Sequence, residues 1–309
     1  MTFLREADEA TSFEIMDYFY EQGGYFLDTA NVYSAGASET TVGKWIKDRG
    51  VRSSVILATK VYGHMGPGPN DGGLSRYHII NAVEQSLRRL QTDVIDLYQI
   101  HRWYTEAPLE ETARALDDLV RAGKVRYLGC SNVRAYQLLD YLRYMDANTL
   151  SRFVSLQPPY NALNRAIELE LLPLVEQEGL GVIPYNPLAA GMLTGKYRKG
   201  GSLPQGARMQ MHEFYYKRYY TDQALETAEQ FVAHAPELGL TPAQLAIAWV
   251  QADTRISAPI VGARNVEQLE DSLGRLDRKL TSEEREAVPA LPSGRWVGED
   301  PLYDRTAYK

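Results

Sequence analysis

The sequence predicts an α/β fold of parallel strands, best matched by an eight-fold (β/α) barrel. Three observations carry this. Short apolar runs alternate with amphipathic stretches along the whole chain, the pattern of parallel strands joined by right-handed crossovers. No GxGxxG follows the first run, which removes the usual fingerprint of the competing doubly wound sheet. No composition break marks a linker, so residues 1–309 read as one domain.

The strands are predicted at YFLDT (25–29), VILATK (55–60), VIDLYQIH (94–101), VRYLGC (125–130), FVSLQP (153–158), LGVIPY (180–185) and SAPIVG (257–262). These runs are rich in β-branched and aromatic residues, as strands buried on both faces should be. Helices are predicted over Thr11–Glu21, Leu74–Leu90, Leu109–Ala122, Val133–Met145, Glu168–Gln177, Pro242–Gln251 and Val266–Leu276. Each keeps an apolar stripe at helical spacing, such as Ile79, Val83 and Leu87. Ser75 and Thr241 are N-caps, and Pro242 occupies a first helical position. Gly123, Gly179 and Gly239 close helices. Seven strands are legible, which leaves the barrel one strand short at the N terminus, where Met1-Thr2-Phe3 leads into a helix. Residues 191–221 form the longest irregular stretch. Its methionines and aromatics argue for partial packing, as a lid or as a surface excursion.

The formal net charge is −7, which argues against nucleic-acid or anionic-membrane binding. No run of about 18 apolar residues is present, so no membrane span is expected. The acidic N terminus lacks an apolar h-region and is not a secretory signal. Cys130 is the sole cysteine; it allows neither an internal disulfide nor a cysteine-based zinc site, and a cytoplasmic location fits. The five histidines show no ligand spacing, so no metal is expected.

Chemistry concentrates at the strand ends, where barrels place their active sites. The first run ends in Asp28, with Tyr33 in the next loop; the second ends in Lys60; the third ends in His101. Taken singly, each has an ordinary explanation: a turn cap, a packing residue among 21 tyrosines, a solvated charge, a structural histidine. Together they form a coherent set. A free phenol titrates near ~10, too high for proton transfer near neutrality. An adjacent ammonium favours the phenolate, and lowering the phenol by about two to three units requires roughly 3–4 kcal/mol. A carboxylate would aim the lysine, and the imidazole would orient a carbonyl oxygen. The set lacks an electron source, so a hydride-donating cofactor is required.

On these residues the chain resembles the aldo-keto reductases, closest to the branch of aryl-alcohol dehydrogenases and potassium-channel β subunits. "FLDTANVYSAGASE" carries the family's aspartate and tyrosine, "ILATK" its lysine and "IDLYQIH" its histidine. The resemblance covers nearly the whole chain. It implies a single (β/α)8 TIM barrel domain, with the first barrel strand and N-terminal hairpin missing or truncated. It also implies NADP(H)-dependent reduction of an aldehyde or ketone. Tyr33 would be the general acid, Asp28 and Lys60 would tune it, and His101 would position the carbonyl. For the cofactor, Ser131, Asn132 and Gln157 would meet the carboxamide and Tyr185 would stack on the nicotinamide. Asn186, Pro187, Leu188, Lys196 and Arg208 would line the pyrophosphate path. Gly262, Arg264, Gln268 and Asp271, in "GARNVEQLED", would hold the adenosine end. The arginine suits a 2′-phosphate, which guanidinium binds bidentately. Asn186 stands where the family has serine and Ser272 where it has asparagine. Thr2 would approach the nicotinamide ribose.

Trp103, Tyr62 and His64 are candidates for an aromatic substrate pocket at the rim. The expected partner is therefore a small-molecule carbonyl compound, with homo-oligomerisation also allowed. The alternative is an NADPH-holding regulatory or sensor subunit with little turnover. A Schiff-base aldolase using Lys60 ranks below both, since it leaves Tyr33 and the adenosine segment without a role.

Overall fold

The computed structural model describes residues 3–103 and 106–295. Thr2 lies outside the described residues. The chain is gathered into two units. The first runs to Leu156 and takes in Gly262–Leu269; the second holds Gln157–Val261 and the chain from Glu270 onward.

The first unit is built from repeated strand–helix pairs. Helix α1 (Glu9–Glu21) is followed by β1 (Phe26–Asp28), α2 (Ala37–Arg49), β2 (Ile56–Val61), α3 (Arg76–Leu90), β3 (Ile95–Ile100), α4 (Leu109–Arg121), β4 (Val125–Ser131), α5 (Ala135–Ala147) and β5 (Phe153–Gln157). Local signals set the helix ends. The Asp8 carboxylate accepts the Thr11 N–H (2.8 Å), and the Ser75 hydroxyl caps α3 at His78. Helix α4 has Glu110 and Glu111 in its first turn and Arg121 in its last, complementing the helix dipole.

Strands β1 to β4 pair in parallel, and β5 follows β4 in the sheet order. Each new strand lies beside the last with no reversal. A doubly wound sheet needs a reversal at its switch point, so this unit is singly wound. The sheet interior is dry: Leu57, Ala58, Val61, Ile95, Tyr98, Ile100, Leu128 and Cys130 are fully buried. The register places Asp28 opposite Ala58, Lys60 opposite Gln99, and Gln99 opposite Gly129. Side chains alternate faces along a strand, so Lys60, two residues beyond Ala58, shares its face. A polar row therefore crosses the carboxyl ends of β1, β2 and β3.

In the second unit, α6 (Leu171–Glu178) leads into β6 (Gly181–Val182), followed by α7 (Arg208–Met211), α8 (Glu213–Tyr219), α9 (Asp222–His234) and α10 (Pro242–Gln251). Helices α11 (Val266–Leu273) and α12 (Ser282–Ala287) come later in the chain. Parallel bridges join Pro159 to Tyr185 and Tyr185 to Ile260. A half-buried polar cluster ties loops to helices. The Arg285 guanidinium donates to the Tyr160 hydroxyl (2.6 Å), which donates to Glu168 (2.6 Å), itself paired with Arg165. Arg285 also lies 4.6 Å above the Trp249 ring, a cation–π contact.

The elements depart from the sequence reading in several places, and helices α9 and α12 lie outside every predicted helix. The run 257–262 forms no ladder strand; it contributes one bridge at Ile260 and a Ser257 N–H bond to the Val182 carbonyl. Pro259, with no N–H to donate, interrupts it. Residues 191–221 are not irregular throughout. Helices α7 and α8 lie within them, and in α8 Tyr215 and Tyr219, four residues apart, share a buried helical face. Helix α2 also escapes the pattern reading. Its buried face mixes Ser38, Glu39, Thr41 and Gly43 with Val42, Trp45 and Ile46, so the apolar period is confined to its second half.

Gly43 is where α2 meets α3. A Cβ there would lie 2.6 Å from the Arg89 carbonyl oxygen and 2.7 Å from the Leu90 Cα, both backbone atoms. Gly43→Ala is expected to destabilise the protein by about 1–3 kcal/mol, read by denaturant unfolding. An unchanged midpoint would contradict this close approach.

Candidate active site

Four residues predicted to act together, three at strand ends and Tyr33 in the loop after β1, lie in the first unit and do meet. Lys60 has no solvent exposure. Its ammonium donates to an Asp28 oxygen at 2.5 Å and to the Thr29 carbonyl at 2.7 Å. The other Asp28 oxygen accepts from the Gln99 amide at 3.1 Å. The Lys60 nitrogen lies 5.2 Å from the Tyr33 ring centroid, within cation–π range. The His101 ring meets Tyr33 edge-on, with centroids 5.6 Å apart.

The backbone explains how Tyr33 reaches this position. Directly after it, Ser34 and Ala35 take left-handed φ values of 50° and 52°, and Gly36 takes 93°. L-residues resist this region, so the surroundings must hold it. The Ser34 hydroxyl donates to the Phe3 carbonyl at 3.0 Å. The turn closes the loop from β1, and α2 starts at Ala37.

Burial governs the electrostatics. Desolvation pushes the Lys60 ammonium below its ordinary value, against the pull of Asp28. It pushes His101 well below 6.5, with the cationic Lys60 and Arg102 acting in the same direction. His101 is thus a neutral imidazole near neutrality. The two hydrogen bonds tie the Lys60 nitrogen to Asp28 and to the Thr29 carbonyl, an arrangement suited to a fixed cation.

Gln99 belongs to this group and was missed by the sequence reading. A fully buried amide within the apolar run VIDLYQIH is the signal that could have found it. Gly129 opposite it gives it room: a Cβ there would stand 3.0 Å from the Gln99 Cγ. Asn132 is a second link. In a left-handed conformation (φ 52°), it donates from its side chain to the His101 carbonyl (2.9 Å) and the Ser131 hydroxyl (2.9 Å). It thereby ties the end of β4 to the end of β3.

Near the tetrad, Arg102 lies 5.2 Å above the Tyr62 ring, and Trp103 packs edge-on against Tyr141 at 5.4 Å. His64 is exposed and rests against Gly72. Gly262, Arg264 and Gln268 belong to the first unit, where Arg264 pairs with the buried Glu6 carboxylate at 2.6 Å. The Gln268 side chain accepts the Arg264 N–H.

Gln157, Tyr185, Asn186, Pro187, Leu188, Lys196, Arg208 and Asp271 belong to the second unit. There Asn186, also left-handed (φ 66°), donates to the Tyr219 hydroxyl (2.9 Å) and accepts the Ala190 N–H (2.7 Å). Asp271 accepts from Thr241 at 2.7 Å. Lys196 lies over the Tyr197 ring, while Arg208 and Arg218 both lie over Tyr215. Arg218, largely buried, was not anticipated.

Two outcomes follow from the buried groups. Asp28→Ala strands the Lys60 ammonium and is expected to cost about 3–5 kcal/mol of stability in denaturant unfolding; a loss under about 1 kcal/mol would contradict the pairing. Below pH 6.5 the unfolded chain protonates His101 while the folded chain does not. Stability therefore falls as pH drops through that value, until the folded imidazole protonates as well. His101→Gln should remove up to about 1.4 kcal/mol per pH unit of this slope, measured between about pH 7 and pH 5. An unchanged slope would show that His101 is not held neutral.

The chain is similar to known proteins along nearly its whole length. The model of the aldo/keto reductase family matches residues 2–291. The Bacillus subtilis "Uncharacterized oxidoreductase YrpG" is 38% identical, over 92% of this chain and 87% of its own. The Arabidopsis thaliana "Probable voltage-gated potassium channel subunit beta" is 35% identical, over 90% of this chain and 85% of its own. The Schizosaccharomyces pombe "Putative aryl-alcohol dehydrogenase C977.14c" is 36% identical, over 90% of this chain and 84% of its own. Among the described residues no helix is long and apolar enough to cross a membrane. With a family match that spans nearly all its length, this chain belongs to the aldo/keto reductase family.

Proposed function

We propose that the protein reduces an aldehyde or ketone to the alcohol with NADP(H), on a single (β/α)8 barrel domain. The observation that carries this reading is the buried Lys60–Asp28 pair beneath the Tyr33 ring, with a neutral His101 beside it. The barrel reading rests on the unreversed order of β1 to β5 and on the parallel bridges Pro159–Tyr185–Ile260.

The residues suit the cofactor by the chemistry of their donors. Lys196, Arg208 and Arg218 are gathered in one neighbourhood: Arg208 and Arg218 share Tyr215, and the Tyr197 hydroxyl under Lys196 accepts the Met209 N–H. Three cations among tyrosines fit a pyrophosphate. We assign Tyr185, Asn186, Pro187, Leu188, Lys196 and Arg208 to the ring and pyrophosphate. Ser131, Asn132 and Gln157 go to the carboxamide, and Gly262, Arg264, Gln268 and Asp271 to the adenosine end. Preference for the 2′-phosphate would rest on Arg264, whose guanidinium a phosphate must share with Glu6. When bound, reduced nicotinamide supplies the hydride.

The chain's own residues handle the proton. Tyr33 donates its phenolic proton to the carbonyl oxygen as charge builds there. Lys60, aimed by Asp28 and the Thr29 carbonyl, stabilises the phenolate left behind. His101, neutral and edge-on to Tyr33, holds the carbonyl oxygen in line through an N–H. Gln99 fixes Asp28 from the far side. Tyr62, Trp103 and His64 would border the substrate and favour an aromatic carbonyl compound.

A second reading, an NADPH-holding regulatory subunit with little turnover, draws on the relatives named as potassium-channel β subunits. Turnover of a panel of aromatic aldehydes, followed by loss of reduced nicotinamide absorbance, separates the two. Reduction is expected, and Tyr33→Phe should lower it by about a hundredfold to ten-thousandfold with NADPH binding unchanged. Full turnover in Tyr33→Phe would remove Tyr33 as the acid. Tight NADPH binding without turnover in the parent protein would favour the regulatory reading.

A further inference from the structure

A second polar pocket lies in the first unit, behind the loop that carries Tyr33. Its volume is about 380 Å³, within the range of small-molecule sites. One wall is helix α3. Tyr77, Asn81, Gln85 and Arg89 follow at intervals of four and therefore share one helical face. His78 and Ala82 fill the adjacent stripe. The opposite side is formed by Asn31 and by the loop between β2 and α3, which folds around Asp71. The Asp71 carboxylate accepts the Gly68 N–H (2.7 Å), and its backbone carbonyl accepts the Met65 N–H (2.9 Å).

Two buried side chains face this pocket with hydrogen-bonding capacity that the protein does not use. Asn31 has no solvent exposure, and neither its amide oxygen nor its amide nitrogen meets a partner among the described residues. His78 is 4% exposed, and its Nε2 is likewise unpartnered. The His78 Nδ1 lies 3.0 Å from the Asn70 carbonyl. A carbonyl only accepts, so Nδ1 carries the proton and the neutral ring presents Nε2 as an acceptor. Buried polar groups of this kind are nearly always satisfied. Whatever satisfies these two must donate to Nε2 and must both donate to and accept from one carboxamide.

The wall chemistry narrows the class. Asp71 opposes an anion, and the Glu39 carboxylate already takes the Arg89 Nε at 2.7 Å. Arg89 opposes a cation, and among the described residues no group of three or more His, Cys, Asp or Glu could hold a metal ion. A neutral molecule with adjacent hydroxyls meets every requirement, since each hydroxyl both donates and accepts. Asn81 and Gln85 add two carboxamides along the same face. Tyr77, 64% exposed at the mouth, offers an aromatic surface for the C–H face of a sugar ring.

We propose that this pocket binds a small neutral polyol of monosaccharide size. The site adjoins the catalytic loop through Asn31, whose backbone N–H donates to the Lys60 carbonyl at 3.2 Å.

The test is saturation-transfer NMR and calorimetric titration of the intact protein with D-glucose, D-ribose and myo-inositol, with inorganic phosphate and acetamide as controls. At least one polyol should bind with a dissociation constant under about 10 mM. Tyr77→Ala and Gln85→Leu, both on the exposed face of α3, should each weaken it at least tenfold with an unchanged melting temperature. The proposal is overturned if none of the three polyols binds, if both variants bind them as tightly as the parent protein, or if a control binds instead.

Discussion

The site depends on one buried ion pair. Lys60 and Asp28 come from adjacent strands, and the ammonium between them has no contact with water. Taking two charges out of water costs several kcal/mol per ion, and their attraction repays this only with good geometry and further hydrogen bonds. Here the further bonds are present: the Thr29 carbonyl on the lysine and the Gln99 amide on the aspartate. These partners fix the pair in one arrangement, and that arrangement puts a cation under the ring of Tyr33. A surface pair of the same residues would be screened and mobile.

The register of the sheet puts these groups in one row. Asp28, Lys60, Gln99 and Gly129 lie at the carboxyl ends of four successive strands, in pairing order. Gly129 contributes an absence of side chain, and that space accommodates Gln99. Asn132 then ties the end of β4 to the His101 backbone carbonyl at the end of β3. The strained turn Ser34–Gly36 completes the set from the other side by returning the chain into α2 immediately after Tyr33. Fold and chemistry are joined here at the level of single hydrogen bonds.

Much of this was legible in the residues. Asp28, Lys60 and His101 each end an apolar run, and Tyr33 follows at a fixed short distance, so their convergence followed from parallel-strand topology alone. Gln99 was hidden inside a run that reads as purely structural, and its role appears only when the register sets it against Lys60. Helix α2 escaped because the first half of its buried face is polar and small, with Glu39 taken up by Thr59 and Arg89, and the apolar Val42, Trp45 and Ile46 come only after it. The run at 257–262 read as a strand, yet Pro259 limits it to single contacts. Helices α7 and α8 lay in a stretch crowded with glycine, proline and charge, where the Tyr215–Tyr219 spacing was too short to stand out. Arg218 could not be distinguished from its neighbouring basic residues by sequence. Its burial against Tyr215 is a tertiary fact.

The account stands or falls on the state of one phenol. A direct measurement is the NMR titration of Tyr33, labelled at its ring carbon, in the parent protein and in Lys60→Met. The account predicts that Tyr33 ionises below the ordinary phenol value of ~10 in the parent and returns toward or above it once the ammonium is removed. A parent protein in which Tyr33 titrates at or above the ordinary value, unaffected by Lys60→Met, would contradict it.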